Sequence, residues 1–155
     1  MIYSFDSSAF INGWHRYYPP DIFPTIWSDI DNLSQEGRLI ATEEVLKELE
    51  KKDDVIYEWA KLRPHIFRLL DEQIQLTVID ILRDFPRLID NRRQRSGADP
   101  FVLALAQIEG ASVVTFESPS SNLERPKIPD VCLALGVPCM TLLHLIRQEG
   151  WQYHK

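Results

Sequence analysis

RSGADPFVLALAQIEGASVVTFE, residues 95–117, reads as a helix followed by a strand, with one acid opening the first and another closing the second. Val102, Leu103, Ala106 and Ile108 recur at helical spacing behind Asp99 and Pro100, and Gly110 stops the helix. Ala111 to Thr115 then forms a short β-rich strand that ends at Glu117. In a parallel α/β sheet the carboxyl ends of the strands share one rim, where ligands and reactive groups collect. An Asp before Pro is also a good helix N-cap, so Asp99 has a structural reading as strong as a chemical one.

Working outward, IYSF at 2–5 reads as a buried strand ending at Asp6, and RLIA at 38–41 as a second strand after the turn signal QEG. A helix runs to about Gln35, and TEEVLKELEKK at 42–52 is an amphipathic helix with Thr42 as its N-cap. Helical sequence continues from Asp54 to Phe85 with a break near Pro64. KIPDVCLALGV at 127–137 is a short helix, CMTLL at 139–143 a last apolar strand, and a helix or tail ends the chain. Alternating strands and helices imply a three-layer α/β/α arrangement: a central parallel sheet of about four to five strands with helices on both faces. No repeat or linker divides residues 1–155, so a single domain is expected.

The 155 residues are 45% apolar, ample for one core, yet no apolar run approaches the roughly 20 residues of a membrane span. MIYSFDSSAF lacks the basic flank and cleavage site of a signal peptide, which makes a cytoplasmic protein with no membrane partner the expectation. Cys132 and Cys139 fit no zinc or CxxC spacing and read as reduced, structural thiols. The net charge of −6 excludes a uniformly cationic nucleic-acid binder, but Arg83, Arg87, Arg92, Arg93 and Arg95 crowd one stretch leading to Asp99. The four histidines have no ligand spacing, and GxSxG, Walker and GxGxxG motifs are absent.

Four carboxylates fall where such a sheet could gather them: Asp6, Glu48, Asp99 and Glu117. Acid-rich oxygen sites suit Mg2+ or Mn2+, which lower the pKa of a water and neutralise charge in phosphoryl chemistry. Each acid also has an inert reading: Asp6 caps a helix starting near Ser8, Asp99 caps the next, Glu48 is solvated at the edge of the Val45–Leu49 stripe, and Glu117 is a loop acid. The arginine cluster matches phosphate geometry, and its plain alternative is an exposed loop pairing with Asp84 and Asp90. Trp14, Tyr17, Tyr18, Phe23 and Trp27 could stack unpaired bases, although a cluster laced with prolines more often packs a core or a partner surface.

Taken in order, IYSFDSSAFI, EEVLKELEKK and ADPFVLALAQIEGASVVTFE resemble the successive signature segments of the PIN-domain ribonucleases, across nearly the whole chain. YYPPDIFPTIW and KIPDVC further resemble a bacterial branch of PIN-like proteins close to the toxin half of toxin–antitoxin pairs. The resemblance implies a PIN-like domain that hydrolyses RNA phosphodiesters with Mg2+ or Mn2+. Asp6, Glu48, Asp99 and Glu117 would be its catalytic and metal-binding acids, and Ser8 would orient the metal or a phosphate. Arg92, Arg93 and Arg95 are the expected RNA contacts on their phosphate-matching chemistry, the resemblance implies an antitoxin protein as partner, and a homodimer is a further expectation. The family's last acid is usually Asp, which leaves two candidates for that position: Glu117, longer by a methylene, and Asp130, which also reads as the N-cap of the short helix before Gly136. A silent PIN-like interaction module and a receiver-type phosphotransfer domain are the competing readings.

Overall fold

The computed structural model describes residues 1–89 and 97–154. Five strands form one all-parallel sheet: β1 (Tyr3–Phe5), β2 (Leu39–Thr42), β3 (Phe67–Arg68), β4 (Ser112–Val114) and β5 (Cys139–Met140), in the order β3-β2-β1-β4-β5. Around it lie α1 (Ser7–Asn12), α2 (Pro24–Gln35), α3 (Glu43–Lys52), α4 (Asp54–Lys61), α5 (Glu72–Asp84), α6 (Asp99–Glu109), α7 (Ile128–Leu135) and α8 (Leu142–Gln148). The three-layer α/β expectation therefore holds. Right-handed crossovers set α1–α4 on one face and α5–α7 on the other, because β1 to β3 step one way along the sheet and β3 to β5 step back.

The central strand is sealed on both faces. Tyr3, Ser4 and Phe5 are all buried, as expected for a parallel strand covered on both sides. Ser4 is polar, but its hydroxyl donates to the Val102 carbonyl of α6 at 3.1 Å. That helix buries Val102 to Ala106 almost completely and packs between the sheet and α5, which explains why its apolar residues are not confined to one stripe. Gly110, with φ of 64°, ends α6 in the left-handed conformation and turns the chain into β4. On the opposite face Asp53 caps α4 through the amides of Val55 and Ile56, each at 3.1 Å, and on the α6 face Asp71 caps α5 through Ile74 at 2.8 Å.

Between α1 and α2, residues Gly13–Tyr17 form a π-helical turn, closed by the Tyr18 amide donating to the Gly13 carbonyl at 2.8 Å. Gly13 is needed for close approach: a Cβ there would meet Leu142 Cδ2 at 3.1 Å and Trp27 Cζ2 at 3.6 Å. The turn thus seats against α8 and α2.

Several boundaries differ from the sequence reading. The stretch after Pro64 contains a two-residue edge strand, β3, which was not expected. CMTLL splits after Met140, because the Thr141 hydroxyl accepts from the His144 amide at 3.2 Å and starts α8. Ala98 is the N-cap of α6, so Asp99 is its first helical residue and not its cap. Asp130 is likewise the third residue of α7, whose N-cap is Lys127. Thr42 does stand at the N-cap of α3, but its side chain makes no capping bond.

The Thr42 hydroxyl is buried with no hydrogen-bond partner among the described residues, an arrangement that costs about 1–3 kcal/mol. Thr42→Val keeps the shape and removes the unsatisfied group. It should raise stability by about 1 kcal/mol, seen as a higher denaturation midpoint at unchanged slope.

Candidate acidic site at the sheet switch point

β1 is flanked by β2 and β4, whose crossovers lie on opposite faces, so the carboxyl ends of β1 and β4 frame the topological switch point of the sheet. Asp6 directly follows β1, and Thr115 and Glu117 follow β4. Asp6 is only 3% exposed and caps α1, accepting from the Ala9 amide at 2.8 Å through Oδ1. This realises the cap expected from the sequence, with the helix starting at Ser7.

Two hydroxyls complete the carboxylate's shell. Ser8 Oγ donates to Asp6 Oδ1 at 2.7 Å, and Thr115 Oγ1 donates to Asp6 Oδ2 at 2.6 Å. Each hydroxyl in turn accepts a backbone amide from the chain leaving β4: Phe116 N reaches Ser8 Oγ and Glu117 N reaches Thr115 Oγ1, both at 3.0 Å. The two side chains therefore couple the end of β1 to the exit of β4. The sequence reading takes Thr115 only as the last residue of a strand; its signal is a hydroxyl at the end of one strand beside an acid at the end of another.

Burial pushes the Asp6 carboxyl up, the hydrogen bonds from Thr115, Ser8 and Ala9 pull it down, and the nearby Glu117 charge raises it again, leaving it at about 6. Glu117 itself accepts from the Ile128 amide at 3.0 Å through Oε2. Glu48 joins the same neighbourhood through Ser7, whose hydroxyl donates to Glu48 Oε2 at 2.6 Å. Asp99 is 6% exposed at the start of α6. Because α6 leads directly into β4 and runs against it, its N-terminus lies toward the carboxyl rim of the sheet.

Asp130 is differently employed. Its carboxylate accepts from the Ser120 and Ser121 amides at 3.0 and 2.9 Å, the Ser120 hydroxyl at 2.7 Å and the Lys127 amide at 2.8 Å. Burial opposes its charge, yet these bonds outweigh it and hold the carboxyl at about 2. It clamps the loop between β4 and α7. Arg92, Arg93 and Arg95 lie outside the described residues.

Among the described residues, no three Asp, Glu, His or Cys side chains converge closely enough to form a ready-made metal cage. Mg2+ does not demand one, since it commonly takes one or two carboxylates and keeps several waters. Asp6 and Glu117 meet that lesser requirement: two neighbouring hard oxygen donors, one of them raised chiefly by its own burial and further by the charge of the other. Beside Glu117 an apolar cleft of about 410 Å3 opens, lined also by Pro119, Leu133, Met140, Thr141 and His144. Cys132 is buried and Cys139 exposed, and neither forms a disulfide with a described residue. No described helix is long and apolar enough to cross a membrane.

The strain on Asp6 has a measurable sign. Its folded value of about 6 exceeds its ordinary 3.8, so its charge opposes folding above pH 6, and this cost is relieved as pH falls toward 4. In chelator at pH 8, Asp6→Asn should therefore be the more stable protein, by on the order of 2 kcal/mol. The gap between variant and parent should close as pH is lowered to 4, measured by denaturant unfolding at each pH.

No curated protein matches the chain. The family model described as a domain of unknown function, DUF4411, matches residues 3–153. The match begins with β1, runs past α8 and takes in Asp6, Glu48, Asp99 and Glu117. The chain belongs to the DUF4411 family.

Proposed function

We propose that this chain is a PIN-like, metal-dependent ribonuclease that hydrolyses RNA phosphodiesters. The observation that carries the reading is Asp6: a buried carboxylate at the end of the central strand, at the switch point, raised to about 6 beside Glu117. Acids held together against their own repulsion are a poor arrangement for stability and a good one for a hard divalent cation. Mg2+ or Mn2+ bound there would lower the pKa of an attacking water and neutralise charge on the leaving oxygen.

The chain's own groups divide the remaining work. Asp6 and Glu117 supply the oxygens of the site, with Asp99 and Glu48 completing it from α6 and α3. Ser8 and Thr115 fix the Asp6 carboxylate in one orientation, because both of their protons are committed to it. Ser7 does the same for Glu48. Arg92, Arg93 and Arg95 would offset the repulsion between this acidic rim and an RNA backbone. The resemblance to toxin-half PIN proteins extends the proposal to an antitoxin partner that keeps the nuclease silent in the cytoplasm.

A second reading has an observation of its own. Asp6 caps α1 and Asp130 clamps a loop, so these acids already have structural work, as a silent interaction module would require.

Metal and RNA separate the two readings. Mn2+ added to chelator-treated protein should raise its melting temperature, because an ion bound only by the folded state stabilises it. A labelled RNA panel should be cut in Mn2+ and left intact in chelator. Glu117→Gln should lose at least about 100-fold of that cleavage, as expected when a group acting on transition-state charge is removed. Asp130→Asn should lose stability while its folded fraction keeps the parent's cleavage rate. Full cleavage by Glu117→Gln, or none by the parent protein across the panel, would defeat the assignment.

A further inference from the structure

The aromatic segment between α1 and α2 divides in two. Trp14 and Trp27 turn inward and meet edge to face with centroids 4.7 Å apart, and Trp27 also meets Trp59 at 5.5 Å. The Trp27 indole N–H donates to the Tyr18 carbonyl at 2.7 Å, and Tyr18 packs edge-on against Phe23. Trp14, Trp27, Trp59 and Tyr18 pack in or against the core, and Phe23 covers its edge. Tyr17 does neither: it is 50% exposed and lies flat on Phe116, with centroids 4.6 Å apart and planes only 5° from parallel.

Phe116 stands between Thr115 and Glu117, and its amide donates to the Ser8 hydroxyl that holds Asp6. The stack is therefore fixed to the acidic rim by the same hydroxyl that orients the buried carboxylate. Its other half is fixed by the π-helical turn, which seats on Leu142 and Trp27 through Gly13. Extra residues of this kind inside a helix re-aim the side chains that follow and recur at functional sites. Arg16, next to Tyr17, is exposed and forms no ion pair with any described residue.

We propose that the Tyr17–Phe116 stack is the binding platform for one unpaired nucleobase adjoining the scissile phosphate. This rests on the ribonuclease reading above and deepens it, since it names the contact by which the substrate is held. A base adds to such a stack through its π-face, which every base has, so the platform selects unpaired structure and not sequence. In a duplex both faces of each base are covered by neighbours, and the platform has nothing to hold. Arg16, exposed and adjacent to Tyr17 in sequence, would meet the phosphate of the stacked nucleotide.

The test uses Glu117→Gln protein in Mn2+, so that binding is read without turnover, with a fluorescent single-stranded RNA, the same strand carrying an abasic site at successive positions, and a duplex. Tyr17→Ala should weaken binding of the intact strand about 10-fold or more, and Tyr17→Trp should retain it. Tyr17→Leu covers Phe116 without a π-face, so it should keep the melting temperature and still lose the affinity. At one abasic position the parent and Tyr17→Ala proteins should bind alike. In the cleaving protein, Tyr17→Ala should raise KM with little change in kcat, as expected for a contact equally present in ground and transition states. Equal affinity of Tyr17→Leu and parent for every strand, with RNA still bound, would overturn the platform and leave the nuclease reading standing. RNA binding by neither would overturn the platform together with the nuclease reading.

Discussion

The buried carboxylate of Asp6 is the constraint to which the rest of the molecule is fitted. It ends the central strand, caps the first helix and takes both hydroxyl protons of Ser8 and Thr115. Those hydroxyls then receive the amides that leave β4, so one carboxylate organises the two strand exits on either side of the switch point. A buried charge without donors would cost far more than a stable domain can carry. Three donors make the charge tolerable, while burial, with the Glu117 charge adding to it, keeps the carboxyl raised. That balance separates this site from Asp130, where ample donors settle a carboxylate that has only a loop to hold.

The sheet order explains why the acids can be far apart in sequence and near in space. Asp6 and Glu117 are brought level by the β1–β4 pairing, whose register matches Phe5 with Val114. Glu48 arrives by a different route, through α3 and the hydroxyl of Ser7. The largely buried α6 is the other half of the construction, since its burial between α5 and the sheet fixes the depth at which Asp99 begins the helix.

Much of this was legible in the sequence, for physical reasons. Strands β1, β2 and β4 are short apolar runs bounded by acids and glycines, and the long helices carry apolar residues at helical spacing, so the layers and the parallel sheet followed. Strand β3 was hidden because two residues, Phe67 and Arg68, carry no periodicity and owe their conformation to pairing with β2. CMTLL misled because a short apolar run fits strand or helix equally; only the cap geometry of Thr141 decides it. Asp99 looked like an N-cap, yet Ala98 already has helical dihedrals and moves the helix start back by one. The hydroxyls of Ser7 and Thr115 were the least legible parts of the site, because their importance lies in partners 41 and 109 residues away.

The Asp130 clamp carries a consequence for the wall it builds. Residues 118–127 include two prolines and several serines, a composition usually associated with a slack surface loop. Four donors drawn from both ends of that segment onto one carboxylate make it a closed ring of hydrogen bonds instead. The ordering entropy of the loop is thus lost during folding, and a molecule entering the cleft beside Pro119 and Leu133 meets a wall already in place. The amides of Ser120, Ser121 and Lys127 should accordingly exchange with solvent deuterium at rates closer to those of a helix than of a surface loop.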